Sequence, residues 1–228
     1  MPDWLLDWLQ SVSGTVIGNL LVALIVGYVG LIVWKYQTIF KRRTEVAEKA
    51  RMTFAQVEDA LSAIRNPFGT SLEDEAVVIP EDFKGKEGHY REYGKFFNRL
   101  EKNAAAFESI WEILESCRIH LGQEAADALF SLHVARNRVL IAAGYLANTK
   151  KGSYGESPEE TAQAKAFWMK QRSTLYEAKS MPEYDTLTVE IAEARQKLEA
   201  ACHPYLELPA WRTALPWFNK RKVDDKVE

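Results

Sequence analysis

His133, Arg136 and Asn137 are the residues of this sequence whose types and spacing come closest to a catalytic arrangement. Spacings of three and four residues place them on one face of a helix. A His side chain can move a proton, and an Arg can stabilise the negative charge that develops on a phosphorane. The chemistry that this combination would serve is the cleavage of RNA or DNA.

The order of these residues does not match the helical nucleases that use such a pair. Those nucleases have an Arg followed a few residues later by a His, whereas here His133 precedes Arg136. We therefore expect the three residues to form a solvent-facing or salt-bridged helix surface, with Glu108 or Glu112 as partners. A nuclease is the least favoured of the functions considered for this chain.

The sequence predicts neither a metal site nor a bound cofactor. Helical di-iron sites use Glu-x-x-His pairs, and no histidine of this chain belongs to one. The two cysteines are 85 residues apart, and neither has a second ligand at metal spacing. Residues 152–157 are rich in Gly and Ser but lack the Lys of a phosphate-binding loop. The histidines and cysteines are His89, His120, His133, His203, Cys117 and Cys202.

An apolar run over residues 14–34 is the element that positions everything after it. It reads GTVIGNLLVALIVGYVGLIVW and carries no charge. At about 1.5 Å per residue, a helix of this length spans roughly 30 Å, the thickness of a hydrocarbon core. The run is longer than the apolar core of a signal peptide, and its N-terminal flank is acidic rather than basic. We predict an uncleaved transmembrane helix.

The charges on the two flanks predict the orientation of this helix. Residues 1–13 contain Asp3 and Asp7 but no Lys or Arg. Positive residues stay on the cytoplasmic side, so residues 1–13 are expected outside and the large C-terminal part in the cytoplasm, at a bacterial inner membrane. In that reducing compartment Cys117 and Cys202 are expected to be free, buried thiols. The cations that follow the run are Lys35, Lys41, Arg42 and Arg43.

Small and polar residues in the outer half of the apolar helix suggest self-association. Gly14 and Gly18 form a small-xxx-small pair, which lets two helix backbones approach closely. Asn19 places an amide within the apolar run, and such an amide gains by pairing across two helices. A homo-oligomer is therefore an alternative to a single transmembrane helix.

Residues 35–66 are predicted to continue the same helix beyond the membrane. No Gly or Pro interrupts the sequence from Leu31 to Asn66, and Pro67 ends the helix. An apolar stripe at alternating spacings of four and three runs along one face. It would either pack against the chain's own domain or form a short intermolecular coiled coil. The stripe consists of Ala50, Phe54, Val57, Leu61 and Ile64.

The rest of the chain predicts an all-α fold, with an antiparallel helical bundle over residues 92–218. Residues 67–91, which contain Pro, Gly and many acids, are expected to be an irregular loop. Apolar periodicity predicts helices over residues 92–121 and 124–149. Short connections between such helices favour antiparallel neighbours.

Capping sequences predict two further helices. Ser157 and Ser180 each stand three residues before a Glu, with a Pro close behind the Ser. Pro204 is expected to end the second of these helices, because proline lacks the backbone donor that would continue it.

The C-terminal segment is rich in Trp and is followed by a short basic cluster. It would dock on the membrane surface, bind a protein partner, or cover the open end of the bundle. Residues 219–228 are expected to be a disordered tail. The interface candidates of this segment are Trp211, Leu215, Trp217 and Phe218.

The favoured function is a non-enzymatic, membrane-anchored interaction or scaffold module that presents its bundle to a cytosolic protein partner. A net charge of −3 argues against a nucleic-acid partner. The expected partners are the lipid bilayer and a cytosolic protein. The alternatives are an oligomerising membrane effector of the toxin or phage-defence type and, less favoured, a nuclease of the helical-bundle type.

Overall fold

The structure, a computed structural model, describes residues 3–69, 73, 75–85, 87–149, 157–178 and 184–206. Among them there is no β-strand, so the all-α class is confirmed for the part of the chain described. One short 3-10 helix covers Glu81–Phe83. The six α-helices of these ranges are α1 (Asp3–Arg65), α2 (Glu87–Lys102), α3 (Ala104–His120), α4 (Gln123–Asn148), α5 (Pro158–Leu175) and α6 (Thr186–Leu206).

The N-terminal part of α1 is apolar and exposed. Within the described residues, α1 is the one helix that is long and apolar enough to cross a membrane. Every residue over 18–31 is exposed, although most of these side chains are large and aliphatic or aromatic. Apolar surface in water is unfavourable by about 25 cal/mol per Å². Contact of this surface with water is therefore unfavourable.

The chain divides into two compact units, with the division between Thr44 and Glu45. Within the described residues, the first unit is α1 up to Thr44. The second unit is Glu45–Leu206. All buried side chains of the hydrophobic core belong to the second unit.

Helix α4 packs against α2, α3, α5 and α6. A helix can meet neighbours on several sides when its side chains are small, because small side chains let the backbones approach. Seven of the buried residues of α4 are alanines. They are Ala125, Ala126, Ala128, Ala135, Ala142, Ala143 and Ala147.

The apolar stripe predicted within residues 35–66 of α1 is buried in the second unit. All five of its residues, from Ala50 to Ile64, belong to the core. The ion pairs of this part of α1 reach α3 through Lys49 and Glu112, and α6 through Glu58 and Arg195. The stripe packs against the chain's own helices, which is the first of the two alternatives that its spacing left open.

The single helix predicted over residues 92–121 is two helices in the structure, so that prediction was wrong. The chain leaves the helical path at Asn103, between α2 and α3. The side-chain amide of Asn103 donates to the carbonyl of Arg99 at 2.8 Å, which satisfies an acceptor at the end of α2. Trp111, which the sequence placed on the apolar stripe, is exposed.

Two other predicted boundaries were displaced. Helix α2 begins at Glu87, within the residues expected to be an irregular loop. Pro204 lies inside α6, which continues to Leu206. A proline near the end of a helix removes one donor, and the last turn continues on the bonds of its neighbours.

The capping prediction at Ser157 is confirmed. The Ser157 side chain accepts from the backbone N–H of Glu160, and the Glu160 side chain accepts from the backbone of Ser157. The second predicted capping sequence, at Ser180, lies outside the described residues.

The prediction for the cysteines is also confirmed. Cys117 and Cys202 are free and buried. Burial raises the pKa of the Cys117 thiol to about 12 and that of Cys202 to about 11. Both thiols are therefore protonated at neutral pH and unsuited to nucleophilic chemistry.

Gly94 is buried in α2 at a point where the chain around Val77 approaches the helix. A Cβ at position 94 would lie 2.6 Å from Cγ1 of Val77 and 3.2 Å from Cε1 of Tyr90. We expect Gly94→Ala to lower the free energy of unfolding by about 1–3 kcal/mol, the usual effect of overpacking. Combining it with Val77→Ala should restore much of the loss, because the clashing methyl is removed. Urea unfolding measures both effects.

Gly144→Ala is the matched control for this prediction. Gly144 is also helical, in α4, but nothing lies within 4 Å of its Cβ position. Alanine is expected to stabilise the helix there by about 0.5–1 kcal/mol. Equal effects at positions 94 and 144 would contradict the close approach of Val77 to α2.

Candidate functional site

The structure brings the three predicted polar residues of α4 into contact. The amide Nδ2 of Asn137 lies 3.1 Å from Nε2 of His133, and Nη1 of Arg136 donates to Oδ1 of Asn137 at 3.2 Å. Because the amide is a donor, Nε2 of a neutral His133 accepts and the ring proton lies on Nδ1. Nδ1 is buried and has no hydrogen-bond partner among the described residues.

Aromatic side chains surround this polar group. The Trp111 ring meets the His133 ring edge-on with centroids 4.9 Å apart, and the Phe130 ring stacks on His133 at 5.8 Å. The Arg136 guanidinium lies over the Phe107 ring at 5.5 Å from its centroid. Helices α3 and α4 pack side by side here, and each contributes part of the group.

The electrostatics of His133 favour its neutral form. Burial lowers the pKa of His133, and the positive charge of Arg136 lowers it further. Of the two carboxylates named as partners from the sequence, Glu112 forms an ion pair with Lys49 at 3.5 Å. A neutral imidazole held by an amide between aromatic rings suits a contact surface better than proton transfer.

An exposed apolar surface continues from this group. Trp111 is 51% exposed, Phe130 40% and Val134 41%. We call Trp111, Phe130, His133 and Val134 the Trp111 face. Phe130 and Val134 also line a groove of about 270 Å³ between α4 and α6, whose other walls include Leu187.

Arg65 and Asp185 form a buried ion pair that the sequence did not indicate. Both side chains are almost fully buried, and Nη2 of Arg65 lies 2.5 Å from Oδ1 of Asp185. Arg65 is the last residue of α1, and its remaining hydrogen bonds go to the end of α5 and the start of α6. They join Nε to the Thr174 carbonyl (2.9 Å), Nη1 to Thr188 Oγ1 (2.8 Å), and Nη2 to the carbonyls of Ser173 (3.3 Å) and Tyr176 (3.2 Å).

The Asp185 carboxylate completes this group, which we call the Arg65 cluster. It accepts from the backbone N–H of Ala178 at 2.9 Å, and from the N–H and hydroxyl of Thr188 at 3.1 and 2.7 Å. Burial alone would raise the pKa of Asp185, but the bonds from Ala178, Arg65 and Thr188 and the Arg65 charge together lower it. The carboxylate also occupies the capping position of α6.

A second arginine binds the chain just after the end of α1. Arg99 of α2 donates through Nη1 to the carbonyls of Ile64 at 3.0 Å and Asn66 at 2.7 Å. Through Nη2 it donates to the carbonyl of Phe68 at 3.1 Å and to Glu73 at 2.6 Å. Carbonyls at a helix end have no partners within the helix, so Arg99 satisfies acceptors that would otherwise need water.

The membrane-helix residues singled out in the sequence all lie in α1. Gly14, Gly18 and Asn19 fall within its bounds. Asn19 is exposed, and nothing lies within 4 Å of a Cβ placed on Gly18. This surface is open to a neighbouring helix.

The structure does not describe every predicted position. Trp211, Leu215, Trp217 and Phe218 lie outside the described residues. No three His, Cys, Asp or Glu side chains in the described ranges are placed to hold a metal ion. His89 is used structurally, with Nε2 2.8 Å from the Leu146 carbonyl at the end of α4.

No protein-family model matches this chain, and neither a curated protein nor a solved structure does. Its function is therefore argued from its own residues. The features of the described chain that bear on its function are the Trp111 face, the apolar part of α1 and the Arg65 cluster.

We expect Asp185→Asn to lower the free energy of unfolding by about 3–5 kcal/mol, because it leaves the buried Arg65 charge without its counter-ion. The matched control is Glu115→Gln, which breaks the exposed Glu115–Arg118 pair. An exposed pair contributes at most about 1 kcal/mol, so the control should change little. Urea unfolding of both variants at neutral pH measures the difference.

The effect of Asp185→Asn on the free energy of unfolding is expected to depend on pH. The folded-state pKa of Asp185 lies below its ordinary value of 3.8, so its contribution is fully present above that value. It is lost as the pH falls through the folded-state pKa. The stability difference between wild type and Asp185→Asn should therefore be constant at neutral pH and shrink in acid. A difference that does not change with pH would contradict the role of the ionised carboxylate.

Proposed function

We propose that this chain is a single-pass membrane protein whose cytosolic helical bundle recruits a protein partner through the Trp111 face. The observation that carries the proposal is the exposure of Trp111, Phe130 and Val134 next to an apolar groove. Contiguous exposed apolar surface on a folded domain marks an interaction site more often than it marks nothing.

The apolar part of α1 supports the membrane anchor. Its residues over 18–31 are exposed in the chain, and a bilayer is the environment that would cover them on all sides. The cations between Lys35 and Arg43, with acids at the other flank, favour an N-terminus outside and a C-terminal domain in the cytoplasm. A bacterial inner membrane suits this arrangement.

The packing of α4 against four other helices supports the bundle. The stripe of α1 from Ala50 to Ile64 is buried in the same core. The residues of α1 from Ala50 to Ile64 are thus a structural element of the domain.

The chemistry of the Trp111 face defines the partner that it fits. A Trp beside a Phe supplies the large apolar contact area that is typical of binding hot spots. The groove of about 270 Å³ has the size of one or two apolar side chains, and the Arg138–Glu190 ion pair lies at its edge. The partner we propose is an amphipathic helix that places an apolar side chain in this groove.

Self-association through α1 is the second candidate. The open surface at Gly18 and the exposed amide of Asn19 support it, because a helix with a small residue and an amide on its surface can pair within a bilayer. An oligomerising membrane effector of the toxin or phage-defence type would use this surface, together with Gly14, in place of the Trp111 face.

Affinity capture of the full-length protein from detergent-solubilised membranes tests the two candidates. We expect a stoichiometric protein partner that wild type retains and Trp111→Asp loses. A central aromatic residue contributes about 2 kcal/mol or more to such an interface, which corresponds to roughly a thirtyfold loss of affinity. The readout is mass spectrometry of the captured complex with a determination of its mass.

Phe167→Asp is the matched control, since Phe167 is also an exposed aromatic residue of a helix and lies on α5, away from the Trp111 face. It should retain the partner. Equal capture by wild type and Trp111→Asp would contradict the proposed face. A homo-oligomer with no partner would favour the effector instead and direct mutagenesis to Gly14, Gly18 and Asn19.

A further inference from the structure

A large cavity in the second unit is not used by the proposed partner site. It has a volume of about 870 Å³ and lies between α2, α5 and the start of α6. Pockets for small ligands commonly have volumes of about 300–1,000 Å³, so the size fits a small molecule. We call it the Lys170 pocket. The lining side chains that bear on its chemistry are Glu92, Lys95, Lys170, Arg172, Tyr176 and Tyr184.

The charge of the Lys170 pocket is positive. Three of these side chains are cations and Glu92 is the acid among them. In the described part of the chain, no carboxylate forms an ion pair with Lys170 or Arg172. Arg172 is oriented by aromatic rings, with its guanidinium 5.3 Å from the centroid of Trp168 and 5.7 Å from that of Tyr176. An anion is the ligand group that complements this wall.

The pocket also presents a flat aromatic surface. Tyr184 is 64% exposed, lines the pocket and stands two residues before the start of α6. An exposed aromatic ring beside cations suits a ligand that has both a planar ring and a negative charge. Base–aromatic stacking contributes about 1–3 kcal/mol in nucleic-acid complexes, which shows what such a ring can add.

We propose that the Lys170 pocket binds a nucleotide, with its phosphates on Lys170 and Arg172 and its base on Tyr184. Three separate observations support this assignment: a cavity of ligand size, two cations without carboxylate partners in the described chain, and an exposed aromatic ring. Arg and Lys are the side chains that proteins use to bind phosphate groups.

A ligand in the Lys170 pocket would lie next to residues whose carbonyls bind Arg65. Ser173 and Tyr176 line the pocket, and their carbonyls accept hydrogen bonds from Arg65. Asp185 lies between two lining residues, Tyr184 and Thr186. The ligand therefore contacts the backbone that holds the end of α1, and its binding should stabilise the Arg65 cluster.

Isothermal titration of the full-length, detergent-solubilised protein with ATP tests the proposal. Saturable binding is expected, together with a rise in the thermal unfolding temperature. Lys170→Glu should weaken binding by about tenfold or more, the loss expected for one charge-assisted hydrogen bond. Lys170 is exposed, so this variant is expected to fold, and far-UV circular dichroism checks that it does.

Lys165→Glu is the matched control, because Lys165 is an exposed lysine of the same helix that does not line the pocket. It should bind ATP nearly as wild type does. Tyr184→Leu should weaken ATP but not pyrophosphate, which has no base to stack. The absence of saturable binding, or equal losses in the two lysine variants, would overturn the proposal. Equal affinities for ATP and pyrophosphate would overturn the nucleotide assignment.

Discussion

The buried pair of Arg65 and Asp185 is the interaction on which the structure of the second unit depends. Arg65 is the last residue of α1 and binds the carbonyls at the end of α5, and Asp185 caps α6, so these two side chains satisfy two helix termini and join them to the end of a third helix. Burying two charges is unfavourable unless both are fully hydrogen-bonded, and here every polar atom of the carboxylate has a donor.

The part of α1 that belongs to the second unit shares its core. The stripe from Ala50 to Ile64 is buried in the core of the second unit, and the Arg65 cluster lies at the end of this stripe. A ligand in the Lys170 pocket or a partner on the Trp111 face would act on helices that pack against the same α4. The two proposed sites are therefore connected to one another through the core of the second unit.

The sequence predicts those features of the fold that depend on apolar periodicity and on the chemistry of helix ends. The all-α class, the length of α4 and the capping at Ser157 follow from apolar spacing and capping chemistry, whereas the spacing of the α1 stripe left its packing partner open. The break at Asn103 could not be predicted, because the apolar spacing continues across it. Arg65 stands in sequence at the end of an apolar stripe, where a charged residue ordinarily faces solvent. Only the fold brings Asp185, distant by 120 residues, to its guanidinium.

The most direct test of the account is the membrane topology of α1, measured by thiol labelling in intact bacterial cells. Single cysteines are introduced at Ser11 and Met52, since the native thiols are buried and unreactive. A membrane-impermeant maleimide should label Ser11→Cys in intact cells and the exposed Met52→Cys only after lysis. Labelling of Met52→Cys in intact cells, or release of the protein from membranes by carbonate, would contradict a membrane anchor with a cytosolic domain.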